Sequence, residues 1–356
     1  MRLLVRPLKE SEYPAWDHLV SVSPQRSLFV QRWWMDIVTQ GEVCLLGCFQ
    51  GEQLLAGLPV WPCSTLGVRR LRQPPLTPYW GPLLHPLNGD DFTRTTHELA
   101  IINALADALA PWQDVVIQCH PTVMNWLGFS RSHFSPMTRY TYRIENWAKV
   151  SLEETTSHES IKSGLRRAQK YGLEVQDDAD PLIVAQLAQL SMEQHGLKSS
   201  EELQRFWPAL SKAAQERHCL FTTSVLDPDG QPFCAVATVW DERYAYGVFG
   251  GYNPALRHTG GWTLCMAREL EIARSVAPGY DFEGSMLTSV EPFFRRFGGT
   301  LTPYFFISRS TSWRLNTARV LAGKWHAATR WGQQLFTRRQ SGSSSCEERE
   351  GTPSAA

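Results

Sequence analysis

Two acidic side chains, Asp281 and Glu283, stand in the stretch GYDFEGSMLTSVEPFFRRFGGTLTPY at 279–304, whose residue types suit proton transfer. Tyr280 and Phe282 alternate with them, so an extended chain sends the rings to one face and the carboxylates to the other. A carboxylate where a buried strand meets a cleft can take a proton from an attacking amine or hydroxyl. The competing reading pairs these acids structurally with Arg295 or Arg296. A second segment, YAYGVFGGYNPALRHTGGWTLCMARELEIAR at 244–274, runs from an apolar strand through Gly250-Gly251 and Arg257 to Gly260-Gly261 at a helix start. Glycines there let a ligand approach free backbone N–H groups, and the helix dipole favours a phosphate. The same glycines also serve tight turns. Backbone N–H groups around Phe249–Gly251 could hold a developing oxyanion. On a third segment, 160–171, Lys162, Arg166 and Lys170 share one helical face. They form a phosphate-binding strip if that face meets a cleft, and a solvated face otherwise.

Periodicity places the elements that must carry these groups. In the first half a strand at 3–5 precedes helical runs near 10–21 and 29–40. Strands 43–49 and 53–61 form a hairpin across Gln50-Gly51-Glu52. Six prolines within 62–86 argue against regular structure there. A helix over 93–110 and strands at 115–119 and 138–145 follow. The second half repeats the order: a helix at 160–171, a strand at 173–176, and helices at 180–195 and 200–215. A hairpin of 219–226 with 232–240 crosses Asp227-Pro228-Asp229-Gly230, and a strand at 244–249 comes next. The half closes with a helix at 260–276, a strand at 280–283, a helix at 290–297 and a strand at 302–308.

Composition narrows the class. The 356 residues carry 35 basic and 35 acidic side chains, so no global charge draws the chain to nucleic acid or membrane. No apolar run is long enough to span a bilayer, and the first residues lack a secretory pattern, so a cytoplasmic protein is expected. The eight cysteines form no CxxC pair and no zinc spacing, so reduced thiols and no metal site are expected. Fourteen tryptophans suit core packing, with an aromatic groove as the alternative. From residue 293 to 345 there is no acidic residue, while nine Lys or Arg occur. Residues 317–337 fit an amphipathic helix with Leu321, Trp325, Ala328, Trp331 and Leu335 on one stripe. Such a helix packs on the body, or it lets residues 309–339 touch an anionic membrane surface at its inner face, or RNA. Residues 340–356 have a disordered composition.

Three stretches together resemble the GNAT acyltransferase superfamily, in particular its two-domain branch with the FemAB/FemX aminoacyltransferases and the BioF2-like acetyltransferase domains. They are SIKSGLRRAQKYGLEV (160–175), YGVFGGYNPALRHTGGWTL (246–264) and YDFEGS…VEPFFRRFGG…PYF within 280–306. The resemblance implies an α+β fold of tandem GNAT-like domains. Each is a mixed, mostly antiparallel sheet flanked by helices, at 1–146 and 147–315, before a basic helix (316–339) and a disordered tail (340–356). It implies acyl transfer to an amine (or hydroxyl), the amine being on a small molecule or a cell-envelope or polysaccharide precursor, with Asp281 and Glu283 as the catalytic carboxylates. Phe249, Gly250, Gly251, Arg257, Gly260 and Gly261 would hold the donor. Lys162, Arg166, Tyr252 and Arg295 would hold a small-molecule, nucleotide-linked or lipid-linked acceptor. Acyl-CoA is the expected donor. The run Arg257-His-Thr-Gly260-Gly261-Trp262 departs from the family's phosphate loop, R/Q-x-x-G-x-G/A, at its last element. Aminoacyl-tRNA in the FemAB manner, on a peptidoglycan-type precursor, is the alternative donor; a non-catalytic binding module is the third reading.

Overall fold

A computed structural model describes residues 2–65, 67–194, 201–283 and 290–317. The helix expected over 317–337 lies outside the described residues from position 318 onward, as does the tail. The chain divides into two compact units, Met1–Arg309 and Ser310–Ala356. The description below is of the first.

Its early strands are β1 (Leu4–Pro7), β2 (Cys44–Gln50), β3 (Gln53–Thr65), β4 (Val68–Arg72), β5 (Leu83–Leu84), β6 (Asp114–Gln118) and β7 (Ser135–Ile144). The later ones are β8 (Glu174–Asp177), β9 (Leu220–Leu226), β10 (Pro232–Trp240), β11 (Tyr244–Tyr252), β12 (Gly279–Asp281) and β13 (Thr300–Ser310). Helices α1 (Tyr13–Val22), α2 (Arg32–Thr39), α3 (Asp91–Ala108), α4 (Leu127–Arg131) and α5 (Leu152–Thr156) precede α6 (Glu159–Lys170). Helices α7 (Pro181–Gln194), α8 (Glu201–Glu216), α9 (Gly261–Val276) and α10 (Glu291–Arg295) complete the set. The result is a mixed sheet flanked by helices, as expected for a tandem α+β fold.

Strand order along the sheet is β1-β2-β3-β4-β6-β13-β7-β12-β11-β10-β9-β8, with β5 beside β3. Both hairpins form where the alternating residues and turns placed them. At the second, Asp227 Oδ1 accepts from the N–H groups of Asp229 (3.0 Å) and Gln231 (2.9 Å), and Gly230 takes φ +76°. Among the described residues β4 pairs with β6, and β11 with β12, in parallel, within a mostly antiparallel pattern. A helix joins each pair, α3 in the first case and α9 in the second, so each half contains one strand–helix–strand crossover. The last strands are exchanged in position. β7 lies between β13 and β12, while β13 reaches back to lie beside β6.

The proline-rich stretch 62–86 corrects an expectation: it holds the end of β3, all of β4 and β5. Val60 is the last β3 residue paired with β2, and from Trp61 on β3 pairs only with β4. Pro62 therefore sits where one edge of the strand needs no donor.

The helices cover the sheet according to their apolar faces. α3 turns Ile101, Ile102, Leu105 and Ala106 onto the first half of the sheet, forming a core with Leu58, Val115 and Ile117. Residues of both halves share another core, in which Phe29 and Trp34 pack with Trp207, Tyr244 and Tyr246. α9 covers the opposite face of the second half with Met266, Leu270 and Ala273 against Ala245, Tyr280 and Ile144.

Candidate functional site

The sheet opens where β11 and β12 part. Their parallel register runs Tyr244↔Gly279, Ala245↔Tyr280 and Tyr246↔Asp281, and β12 ends there. β11 continues to Tyr252, paired on its other side with β10 and kinked by a bulge between Gly247 and Phe249. Gly247–Tyr252 thus have no strand partner on the β12 side among the described residues. A gap beyond the carboxyl ends of parallel strands is where α/β folds place ligands, and bulges recur beside such sites. Here a cavity of about 620 Å³ occupies the gap, lined from α6, α7, β10, β11, α9, β12 and α10.

Glu283 lines this cavity and Asp281 does not. The expected shared face fails because β12 ends at Asp281 and Glu283 takes a left-handed φ of +52°. For a side chain larger than glycine that conformation is uncommon and clusters at functional sites. The Oε1 of half-buried Glu283 is buried with no hydrogen-bond partner among the described residues. Burial, and then the nearby Asp281, push its carboxyl well above the ordinary range. Asp281 points to the other side of the sheet and is fully buried. It accepts from the Tyr79 hydroxyl (2.7 Å) and the Thr141 hydroxyl (2.6 Å), and lies 3.2 Å from Arg143 Nε. It also accepts the Glu283 N–H at 2.8 Å, so it fixes the backbone turn that presents Glu283. Its cation is Arg143, and neither Arg295 nor Arg296 takes that place.

Of the glycine segment, Phe249, Gly250, Gly251, Arg257 and Gly260 line the cavity, and Gly261 does not. Several of these glycines have a packing cause. A Cβ on Gly260, which has φ +89°, would collide with the Gly164 carbonyl of α6. One on Gly261 would strike the Phe233 ring, and one on Gly251 the α7 backbone at Leu187. The start of α9 still keeps anion-binding character: its N-cap Gly260 offers no side chain, no acid occupies its first turn, and the one side-chain acceptor there is neutral, Thr259 Oγ1 taking the Gly261 N–H at 3.3 Å.

The basic strip on α6 is turned away. Ile161, Gly164 and Ala168 face inward, and Gly164 packs so closely on Thr263 that a Cβ there would stand 2.6 Å from its hydroxyl. That rotation leaves Lys162 and Arg166 exposed, with Arg166 3.2 Å from Glu159 in solvent. Arg167, one position on, lines the cavity with Ser160 and Ser163 and donates to Ser163 Oγ at 3.0 Å. At α10 the same offset recurs: Arg295 is exposed with its Nε 3.5 Å from Glu291, and Arg296 lines the cavity. Tyr252 lines the cavity.

Glu269, on α9, is a residue that the sequence reading missed. It is fully buried, and its Oε1 accepts from the hydroxyls of Thr238 and Tyr280. Its Oε2 has no partner among the described residues, and burial raises its pKa to about 7. Gly247, which lines the cavity, makes room for this pair: a Cβ there would stand 2.5 Å from the Tyr280 hydroxyl and 3.1 Å from Glu269 Oε1. The available signal was its place on the inner stripe of the helix, with Cys265, Met266 and Ala273.

The model of the acetyltransferase (GNAT) domain family matches residues 157–285. No curated protein matches the chain. Among solved structures the chain is similar to FemX at 13% identity and a TM-score of 0.57, covering 86% of this chain and 97% of that one. It is also similar to a tandem GNAT protein from the clavulanic acid biosynthesis pathway (10% identity, TM-score 0.51, 87% and 99% covered). A third is the C-terminal domain of a putative lysylphosphatidylglycerol synthetase from Agrobacterium fabrum (10% identity, TM-score 0.51, 86% and 96% covered). Such identities speak for the fold alone, while the family match lies on the half that holds the cavity. Residues 157–285 thus match the GNAT acetyltransferase domain family, and the chain shares the fold of FemX and of a tandem GNAT protein.

Proposed function

We propose that the chain is an N-acyltransferase that moves an acyl group from acyl-CoA to an amine on a small molecule or a cell-envelope or polysaccharide precursor. The observation that carries this reading is Glu283: a carboxylate oxygen unpartnered among the described residues, held in a left-handed turn, inside a cavity that is also lined by Arg167, Arg257 and Arg296. The amine nitrogen attacks the thioester carbonyl carbon, and Glu283 takes the proton that the nitrogen sheds. A carboxyl raised by burial is the stronger base for that task. Charge developing on the carbonyl oxygen meets N–H groups on the unpaired edge of β11 around Phe249–Gly251. The carbon–sulfur bond then breaks and the thiolate leaves, taking a proton from water. Arg167, Arg257 and the acid-free start of α9 suit the phosphates of the donor.

The test is thiol release by the purified full chain from acyl-CoA esters, with and without amino sugars and nucleotide-linked amino sugars. Release that requires the amine and falls away in Glu283→Gln is the expected result. Absence of release with every CoA ester, together with retention of aminoacyl-tRNA on a filter, would replace the donor.

A further inference from the structure

Six aromatic side chains of the cavity form one continuous wall. Ring centroids follow one another from Tyr252 to Trp262 (6.0 Å), Phe293 (6.1 Å), Phe294 (6.0 Å), Phe282 (5.6 Å) and Tyr280 (4.7 Å). All six line the cavity. They come from four different elements and from the chain leaving β12, so no single amphipathic pattern produces the row. Trp262 is laid against the strand by the missing side chain of Gly250, whose Cβ would stand 2.7 Å from the indole. Ile161, Met192, Val248 and Met266 add aliphatic surface to the same space.

Rings that serve only the core are covered on both sides. Here Trp262, Phe293 and Phe294 are half-buried, each with a face on the cavity. The wall also joins the two ends of the proposed reaction: Trp262 follows directly on Gly260-Gly261, where the donor phosphates would sit, and Phe282 directly precedes Glu283. An acetyl group, with one methyl, uses almost none of this surface. A chain of several methylenes uses much of it, at about fourfold in affinity for each methylene fully removed from water.

We infer that the aromatic wall is the seat of an extended apolar acyl group, so that the donor carries a medium or long acyl chain in place of acetyl. The inference rests on the acyl-transfer reading and names its substrate class. Methionines at 192 and 266 suit such an occupant, because an unbranched thioether adapts to chains of different length.

The experiment uses the full chain with acetyl-, butanoyl-, octanoyl- and dodecanoyl-CoA, and with free octanoate and dodecanoate. Thermal unfolding reads binding, and thiol release in the presence of an amine reads transfer. The expected result is a midpoint that rises with chain length and a kcat/KM for octanoyl-CoA at least about 100-fold above acetyl-CoA, as partial burial of six added methylenes implies. Phe293→Ala and Phe293→Leu should shrink that ratio in this order. The leucine variant keeps apolar bulk at the site and guards against a mere folding defect. Acetyl-CoA used as well as octanoyl-CoA would overturn the inference and leave the proposed transferase standing. If no CoA ester binds but free dodecanoate binds more tightly than octanoate, the donor assignment fails and the apolar seat survives. If neither class binds, the inference falls.

Discussion

The two strand–helix–strand crossovers, β4–α3–β6 and β11–α9–β12, are built on one plan and finished differently. In both, parallel strands part beyond a short register, after Leu71↔Val115 in the first and Tyr246↔Asp281 in the second. The first gap is filled by the chain itself. Gln73 Oε1 accepts the Gln118 N–H at 3.1 Å, the Trp80 N–H donates to the Gln118 carbonyl at 2.9 Å, and Arg139 reaches the Gln118 side chain at 2.9 Å. The second gap is the cavity. α3 starts on Asp90, which accepts from the Thr93 N–H, with Asp91 in the first turn, so an anion there would meet negative charge. α9 starts on glycine with neither. The inner face of α3 is wholly apolar, whereas that of α9 holds Glu269. One plan thus yields a support in the first half and a site in the second. The difference lies in what occupies the gap.

That contrast can be broken at several points. The largest effect is expected from Glu283→Gln, which removes the proton acceptor and should lower kcat for acyl transfer by about 10²–10⁴. The wild-type rate should rise with pH above the usual carboxylate range, because Glu283 must be ionised to accept a proton and its pKa is raised. That limb should vanish in the variant, as followed by thiol release across pH.

Glu269 sharpens the comparison of the two helices through stability. Its pKa in the fold is about 7, above the roughly 4.3 of an unfolded glutamate. The folded state therefore binds the extra proton, and the stability it contributes is full below the unfolded value and lost as pH rises through about 7. Urea titrations of wild type and Glu269→Gln should show a stability difference that changes by up to about 4 kcal/mol in that window. A difference independent of pH would remove the titrating role.

A tenfold rise in KM for the CoA donor, about 1.4 kcal/mol, is expected for Arg167→Ala, with Arg166→Ala close to wild type. Equal effects of the two would return the cavity-facing role to the exposed strip. The smallest effect is expected in the first half. Gln73→Ala leaves the Gln118 N–H without its acceptor and should cost about 1 kcal/mol in urea unfolding, with kcat unchanged.

Most elements were legible because local rules and tertiary packing agree. Both hairpins pair alternating apolar residues across turn residues, and α9 follows its glycines. The stretch 62–86 was not legible, because whether a proline breaks a strand depends on which edge has a neighbour, a property of the assembled sheet. In the site, Glu283, Arg257 and Tyr252 could be placed from the residues. Arg167 could not, since the rotation of α6 is set by the contact of Gly164 with Thr263, ninety-nine positions away in the chain. The same holds for Asp281: an alternating pattern predicts its face, but only the left-handed turn at Glu283 decides that its neighbour swings into the cavity. The aromatic wall was equally hidden, because its rings converge from separate elements.

The exchange of the last strands bears on how the chain reaches this state. β13 pairs along its length with β7, Thr300 opposite Arg143 and Ser308 opposite Ser135, and also borders β6. While the protein is being synthesised, the inner edges of β6 and β7 therefore wait unpaired until the segment around residue 300 has emerged. Closing such a distant pairing is slow, and open strand edges invite association with other chains in the interval. Joining the halves through a shared pair of strands makes completion of the sheet a late, all-chain event, and the nascent first half depends on arriving sequence for its protection.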